Sequence, residues 1–335
     1  MTEEHRPLES GRNAAFFDLD RTLISGSSAF VLAVAFLDVA PDELRQVVLH
    51  QSALTHDAPA AGEGAWIAVE MLRTAINGGD PLAVLPRLFA TLSDGVRTVF
   101  EPLLSAEWRP GGSTARSNGT VWGCLAEAVY CLRTTHSFEE AVVAAVNMGD
   151  DTDTVACVTG ALAGAVYGVQ AIPSRWTTYV HGHIEGPHGR VDYRYPDVQR
   201  IAARLIGARD KHENAPDPAA GPQEVAPGLF AANIGGAATA PVEWAVVSLC
   251  RTGDMFVNHP VRRQVFLIDQ EGDHNPGLES ALRDAVDSVQ AFLAEGRNVV
   301  VHCHGGHSRT GLVLKAWHMR TTGCTEREAH AWLEA

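Results

Sequence analysis

Cys303 and Arg309 are the two residues with the clearest chemical potential, and they share one short stretch. Residues His302–Gly311 read HCHGGHSRTG, with five residues between the cysteine and the arginine. Converging backbone N–H groups and a helix dipole at such a loop attract an anion and favour a nucleophilic thiolate. Gly305 and Gly306 allow the tight path that this requires. The planar guanidinium of Arg309 suits two oxygens of a phosphate group, so the stretch predicts attack of sulfur on a phosphate ester.

The elements that must position this loop are predicted from the hydrophobic pattern. The loop follows a strand predicted at Val299–Val301 and precedes a helix predicted over Leu312–Arg320. Two further apolar runs, Trp244–Leu249 and Gln264–Ile268, indicate buried strands, and a helix is expected from about Leu278 to Glu295. Strands that are apolar throughout and alternate with helices favour an α/β domain.

This C-terminal region resembles the dual-specificity and tyrosine phosphatases. Their HCxxGxxR pattern, followed by Ser or Thr, is matched by His302, Cys303, Gly306, Arg309 and Thr310. The resemblance covers residues 223–335. It implies a phosphocysteine intermediate that water hydrolyses, and no cofactor. The hydroxyl of Thr310 can hydrogen-bond the sulfur and help it to leave. The residues implied to surround the phosphate are His304, Gly305, Gly306, His307, Ser308 and Arg309.

A phosphatase of this kind also needs an acid that protonates the leaving oxygen. The resemblance implies an aspartate on a loop upstream of the cysteine. Asp269, at the end of the predicted strand Gln264–Ile268, is the first candidate. Asp273 in the same loop is the alternative, and either carboxylate could instead be an ordinary solvated loop residue.

A second group of polar residues precedes an apolar helix predicted over Val155–Tyr167. Asp151, Asp153 and Thr154 offer three hard oxygen ligands from one short turn, which suits Mg²⁺. Taken alone, the same acidic cluster could simply stabilise the start of the helix. The sequence pattern therefore leaves a metal site and a helix cap as alternatives.

The surrounding segment resembles the ADP-ribosylglycohydrolases. The Asp151–Thr154 turn is similar to the C-terminal metal motif of that family, and Thr55–Asp57 and Asn118–Gly119 match other elements in the same order. The resemblance implies an all-α domain and Mg²⁺-dependent cleavage of ADP-ribosyl bonds. It also implies a second set of metal ligands in a Thr-Asp-Asp-Thr motif, which this sequence does not contain, so we expect the metal site to be incomplete.

The N-terminal segment is atypical. Its motif Asp18-Leu19-Asp20-Arg21-Thr22 resembles the first motif of haloacid-dehalogenase-type phosphatases. That resemblance implies a nucleophile at Asp18 and an acid/base at Asp20, but the chain has no lysine nearby to neutralise a phosphoryl group. A short remnant without chemistry is the alternative.

The sequence thus predicts a multidomain hydrolase. An all-α, incomplete ADP-ribosylglycohydrolase-like domain is joined to an α/β dual-specificity-phosphatase-like domain. The expected segments are an N-terminal segment at 1–35, the all-α domain at 36–210, a Pro-rich linker at 211–222 and the α/β domain at 223–335. An inactive ADP-ribose- or phosphate-binding module, or a rearranged fragment, is the alternative.

Composition limits the partners. The chain has 335 residues, 26 basic and 40 acidic, with a net charge of −14. Such a balance argues against nucleic acid and anionic membranes, which require a basic face. The expected substrate is an ADP-ribosylated or phosphorylated protein or small molecule. The start lacks the basic region of a signal peptide and no apolar run approaches the length of a membrane span, so a cytoplasmic location is expected.

Overall fold

The structure is a computed structural model that describes residues 33–111, 118–186, 189–205, 221–270, 275 and 277–334. It divides into two compact units. The first consists of the residues up to His136 together with Glu140–Val166, and the second of Ser137–Glu139 together with the chain from Tyr167 onward. The haloacid-dehalogenase-like motif, most of the expected linker and Asp273 lie outside the described residues.

The part of the chain before Gly168 is helical wherever it has regular structure described. Thr120 caps one of its longer helices, because its hydroxyl accepts a hydrogen bond from the backbone N–H of Gly123 at 3.2 Å. Gly64 allows two other elements to approach closely, since a Cβ there would lie 2.8 Å from side-chain atoms of Phe100 and of Val121. The helices are α1 Pro41–Ala53, α2 Pro59–Ile76, α3 Leu85–Phe89, α4 Asp94–Leu103, α5 Val121–Thr134, α6 Phe138–Val146 and α7 Thr152–Tyr167.

The region predicted as all-α contains one exception. Two exposed strands, β1 (His181–Gly186) and β2 (Gly189–Arg194), form an antiparallel hairpin between the short helix α8 (Ser174–Thr177) and the helix α9 (Tyr195–Leu205). Ile184 pairs with Val191 across the hairpin, the kind of β-branched cross-strand pair that stabilises a ladder. This short hairpin was not predicted, because its strands lie between segments with helical sequence patterns.

The second unit contains a five-stranded sheet in the order β3-β4-β7-β5-β6. All its pairings are parallel except that of β3 with β4. Val247 of β5 and Val299 and Val301 of the neighbouring central strand β7 form a core with α11, as their apolar sequences require. The elements are β3 Gln223–Ala226, β4 Leu229–Asn233, α10 Ile234–Ala237, β5 Ala245–Ser248, β6 Arg262–Gln264, α11 Leu278–Ala294, β7 Val299–Cys303, α12 Ser308–Thr322 and α13 Glu326–Glu334.

The register places the functional loop at the carboxyl edge of this sheet. Asn233 at the end of β4 pairs with Cys303 at the end of β7, and Ser248 at the end of β5 pairs with His302. Carboxyl ends of parallel strands form the usual ligand-binding edge of an open α/β sheet. The prediction of an α/β domain with the cysteine at a strand end is therefore confirmed.

The strand predicted at Gln264–Ile268 is wrong for most of its length. β6 ends at Gln264, and the residues after it have no regular structure. The physical reason is that side chains occupy the backbone groups of Leu267 and Ile268. The carbonyl oxygen of Leu267 accepts from Arg309 at 3.3 Å, and Ile268 is bonded to Asn275 through both its N–H and its carbonyl.

No helix among the residues that the structure describes is long and apolar enough to span a bilayer.

Candidate functional site

Cys303 is the last residue of β7, and its sulfur is held by the loop that follows. The backbone N–H of Gly306 donates to Sγ of Cys303 at 3.2 Å. The residue is only 2% exposed, because it borders the apolar core formed by the sheet and α11. A sulfur that accepts an N–H is placed as an anion would be, so the loop geometry suits a thiolate.

Gly306 occupies a loop position where a side chain would be both strained and crowded. Its φ is +81°, in the left-handed region, and a Cβ there would lie 2.8 Å from the backbone nitrogen of Asn233 and 3.0 Å from the carbonyl carbon of Ala232. Because both contacts are with backbone atoms of β4, they cannot relax by rotation of a side chain. The glycine lets the loop lie directly against the end of β4.

Arg309 lies in the first turn of α12, and its side chain is 5% exposed. One terminal nitrogen donates to the carbonyl oxygens of Leu249 at 3.5 Å and Leu267 at 3.3 Å. The other donates to the Asp269 carboxylate at 3.2 Å, whereas the buried Nε has no hydrogen-bond partner among the described residues. Asp269 is therefore in direct contact with the arginine, and its side chain is 52% exposed.

His302 precedes the cysteine and is fully buried. Its Nε2 lies 2.7 Å from the hydroxyl oxygen of Ser248, and its Nδ1 lies 3.3 Å from the carbonyl oxygen of Cys303. Burial, together with the positive charge of Arg309, lowers the pKa of His302 to about 4. The ring is consequently neutral at pH 7 and acts as a hydrogen-bonding part of the core.

The other residues predicted at this site take several positions. Gly305, His307 and Ser308 are exposed at the loop and the start of α12, and the carbonyl of His304 accepts from the N–H of Ile234 at 3.2 Å. The hydroxyl of Thr310 is buried without a hydrogen-bond partner among the described residues. Its predicted bond to the sulfur is thus not formed in this structure, and the catalytic and phosphate-binding roles of all these residues stay predictions.

The second predicted site lies in the first compact unit, where the side-chain amide of Asn118 holds its turn in place. The side-chain NH₂ of Asn118 donates to the carbonyl oxygen of Gly149 and to the carboxylate of Glu127, both at 2.9 Å. Its Oδ1 accepts from the N–H of Asp151 at 3.0 Å. Gly149 and Asp150 have φ of +85° and +54°, so the amide secures a strained turn immediately before α7.

Of the predicted metal ligands, Asp151 immediately precedes α7 and Asp153 and Thr154 lie in its first turn; Asp153 is exposed and the other two are half-buried. Their oxygens suit Mg²⁺ chemically. No group of three or more His, Cys, Asp or Glu side chains within the described ranges is arranged to hold a metal ion. The Mg²⁺ site stays a prediction.

Titratable groups behind that turn are shifted by burial. Burial raises the pKa of Glu127, a shift that Asp150 increases and the bond from Asn118 opposes. Burial also raises the pKa of Cys124 to about 12, with Asp151 adding to it, and that of Cys131 to about 12. Both thiols remain protonated near pH 7, as expected of inert cysteines in a buried core.

Gln170 and Asn275 were not identified by the sequence analysis. Both are buried, and their side chains hydrogen-bond the segment that carries Asp269. No motif contains them and they are far apart in the chain, so no local signal could have indicated them.

The whole chain was compared with known protein families. The ADP-ribosylglycohydrolase family model matches residues 4–215, which is more than half of the chain. The chain belongs to the ADP-ribosylglycohydrolase family. The match includes the N-terminal segment with the haloacid-dehalogenase-like motif, whose separate resemblance stays a prediction.

Curated relatives are similar to part of the chain. The ADP-ribosylarginine hydrolase Tri1 of Pseudomonas putida is 32% identical over 165 residues, covering 48% of this chain and 43% of the relative. The ADP-ribosyl-[dinitrogen reductase] glycohydrolase of Rhodospirillum rubrum is 26% identical over 145 residues, covering 43% of this chain and 46% of the relative. The chain thus spans less than half the length of these curated relatives. A solved chain of an ADP-ribosylglycohydrolase-related protein complex is 28% identical, with a TM-score of 0.44, and the alignment covers 55% of this chain and 60% of that one.

A second family model, the catalytic domain of dual specificity phosphatases, matches residues 245–335. The predicted resemblances to these two families are therefore confirmed, and the C-terminal region of the chain matches the phosphatase family. Both domain families are hydrolases. The segment from Tyr167 to residue 215 belongs to the glycohydrolase match, yet its described part lies in the same compact unit as the phosphatase domain.

Proposed function

We propose that the C-terminal domain hydrolyses phosphate monoesters with Cys303 as the nucleophile. The observation that carries this proposal is the hydrogen bond from the Gly306 N–H to Sγ of Cys303 at 3.2 Å, at a strand end followed by the buried Arg309. A backbone donor aimed at the sulfur stabilises the thiolate, which is the reactive form. The unpartnered Nε–H of Arg309 supports the proposal, because a buried N–H requires an acceptor and a phosphate oxygen would supply one.

The reaction has two steps, transfer of the phosphoryl group to the cysteine and hydrolysis of the phosphocysteine. The thiolate attacks phosphorus, so an S–P bond forms while the P–O bond to the leaving group breaks, and the leaving oxygen takes a proton from the Asp269 carboxyl group. Water then attacks phosphorus, Asp269 accepts its proton, and the S–P bond breaks to release inorganic phosphate. Because Asp269 is bonded to Arg309 at 3.2 Å, phosphate oxygens must compete with this carboxylate for the guanidinium.

The test is hydrolysis of p-nitrophenyl phosphate by the wild-type chain and by Cys303→Ser. The matched control is Cys324→Ser, which replaces a half-buried thiol between α12 and α13. We expect turnover in the wild type and in the control. With a radiolabelled substrate, acid quenching should trap a radiolabelled phosphoprotein that is absent from Cys303→Ser. Equal rates for Cys303→Ser and the wild type would overturn the cysteine mechanism.

We further propose that the helical domain cleaves ADP-ribosyl bonds with Mg²⁺. The turn that Asn118 holds in front of Asp151, Asp153 and Thr154 supports this function, since it presents three oxygen donors from one helix start. These residues would hold the ion, which when bound would supply positive charge next to the bond that is cleaved. The names of the relatives make ADP-ribosylated arginine the first substrate to assay.

The second test measures release of ADP-ribose from ADP-ribosylated arginine with and without added Mg²⁺. We expect release that depends on Mg²⁺ and is lost in Asp151→Ala, while Asp42→Ala at the exposed start of α1 retains it. Binding of ADP-ribose without turnover would instead favour the binding-module alternative.

A further inference from the structure

Gln170 links the glycohydrolase-type part of the chain to the loop of the phosphatase domain that carries Asp269. It lies in the short turn Val169–Ala171, within the segment of the second compact unit that the glycohydrolase family model matches. The side chain is buried. Its NH₂ donates to the carbonyl oxygen of Phe266 at 3.1 Å and to Oδ1 of Asn275 at 2.7 Å, and its Oε1 accepts from the N–H of Gly277 at 3.0 Å.

Asn275 continues this network to the residue next to Asp269. Its Oδ1 also accepts from the N–H of Ile268 at 2.9 Å, and its NH₂ donates to the carbonyl oxygens of Ile268 at 3.1 Å and Gln270 at 3.4 Å. Both donors and both acceptor positions of the Asn275 amide are therefore used. A buried, fully satisfied amide network has one geometry and resists rearrangement.

Gly277, immediately before α11, lies so close to Gln170 that a side chain at position 277 would require one of the two segments to shift. A Cβ on Gly277 would lie 2.7 Å from Cβ of Gln170 and 3.5 Å from its backbone carbonyl carbon. The turn with Gln170 thus lies directly against Gly277, the residue immediately before α11.

We infer that Gln170, acting through Asn275, is a positioning residue for Asp269. The network ties down the residues on both sides of Asp269, and Arg309 also binds the carbonyl oxygen of Leu267 at 3.3 Å. The backbone at Asp269 is therefore fixed although its side chain is half exposed, and its position does not depend on the contact with Arg309 that phosphate would replace. This inference rests on the proposed phosphatase function. It means that a residue of the glycohydrolase-type segment positions the acid of the phosphatase site.

The test compares two substrates with different needs for an acid. Phenyl phosphate has a poor leaving group that must be protonated, whereas p-nitrophenyl phosphate releases a stabilised anion. In the full chain, Gln170→Met removes both donors and the acceptor at nearly constant volume. We expect kcat for phenyl phosphate to fall by about 10- to 100-fold and kcat for p-nitrophenyl phosphate to change by less than about threefold.

Three comparisons make the result decisive. Gln170→Glu keeps the acceptor for Gly277 but loses both donors, so it should give the same substrate dependence if Gln170→Met fails to fold. Gln290→Met is the matched control on α11, because Gln290 is half-buried and no hydrogen bond of its side chain is found among the described residues. Asp269→Asn should reproduce the substrate dependence, and adding Gln170→Met to it should cause no further loss, since the two act on one function.

Equal loss on both substrates in Gln170→Met and Gln170→Glu, or full additivity with Asp269→Asn, would overturn the positioning role and leave Gln170 a stabilising residue. Turnover that survives in Cys303→Ser, or no turnover in the wild type, would overturn the proposed phosphatase function and this inference with it. Loss of activity in Cys303→Ser together with no substrate dependence in Asp269→Asn would overturn only the assignment of the acid and of its positioning residue.

Discussion

The guanidinium of Arg309 lies 3.2 Å from the carboxylate of Asp269, two residues that are 40 positions apart in the chain. This ion pair joins the residue expected to bind phosphate with the residue expected to protonate the leaving group. The arginine is almost fully buried and the aspartate is half exposed, so the carboxylate can exchange this contact for water more readily than the guanidinium can. Arrival of a phosphate dianion at the loop would release Asp269 for its role as acid.

Replacement of Arg309 by lysine tests whether phosphate binding requires the planar guanidinium group. A lysine ammonium cannot contact Asp269, the two carbonyl oxygens and a phosphate in the same geometry. We expect Arg309→Lys to lower kcat/KM for p-nitrophenyl phosphate by about 10²- to 10³-fold and to weaken inhibition by inorganic phosphate. Arg327→Lys, at an exposed position on α13, should leave both quantities unchanged. Wild-type kinetics in Arg309→Lys would contradict a phosphate-binding role.

Two adjacent glycines allow a sharp test of the loop geometry. Gly306→Ala places a Cβ 2.8 Å from the backbone of β4 at φ +81°, and we expect it to cost about 1–3 kcal/mol of unfolding free energy or more. Activity should fall with it, because the loop must move away from β4. A Cβ on Gly305 would have its nearest neighbour in the His307 ring at 4.0 Å, so Gly305→Ala should change the free energy by less than about 0.5 kcal/mol. Urea unfolding of both variants gives the comparison, and equal stability would contradict the close approach.

The buried imidazole of His302 predicts acid sensitivity. Its pKa is lowered from 6.5 to about 4 by burial, so between these values the unfolded chain binds a proton that the folded chain does not. The contribution of His302 to stability is therefore present above pH 6.5 and is lost as the pH falls towards 4, by up to about 1.4 kcal/mol per pH unit.

His302→Gln removes this titration and keeps a polar group beside Ser248. We expect the unfolding free energy of the variant to depend less steeply on pH between 4 and 6.5 than that of the wild type. His183→Gln, at an exposed position in the hairpin, should retain the wild-type slope. A slope in His302→Gln as steep as in the wild type would show that other groups cause the acid sensitivity.

Asn118 predicts how the turn before α7 is stabilised. Asn118→Ala deprives the carbonyl of Gly149, the N–H of Asp151 and the carboxylate of Glu127 of their partner. We expect a loss of about 1–3 kcal/mol for the groups left buried, and weaker binding of Mg²⁺ measured by titration calorimetry. Asn77→Ala, at an exposed helix end, should change neither quantity. Unchanged Mg²⁺ binding in a folded Asn118→Ala would separate this turn from the metal site.

How much could be predicted depended on distance along the chain. The strand, the glycines, the cysteine and the arginine of the phosphate loop are neighbours, so residue types and spacing alone indicated their shared geometry. The helices α7, α11 and α12 were likewise predicted from local patterns, because hydrophobic periodicity and helix starts are properties of a few consecutive residues. The family resemblances also followed from such short motifs.

The tertiary structure decided everything that joins distant residues. Gln170 and Asn275 are 105 positions apart, and Asp269 meets Arg309 across 40, which no local pattern reveals. The apolar run after Gln264 had the composition of a strand, but Arg309 and Asn275 took its backbone groups, so a ladder did not form there. The amino-acid sequence by itself determined which groups could react, and folding determined which carboxylate stands beside them, because hydrogen bonds between distant segments exist only once the chain has packed.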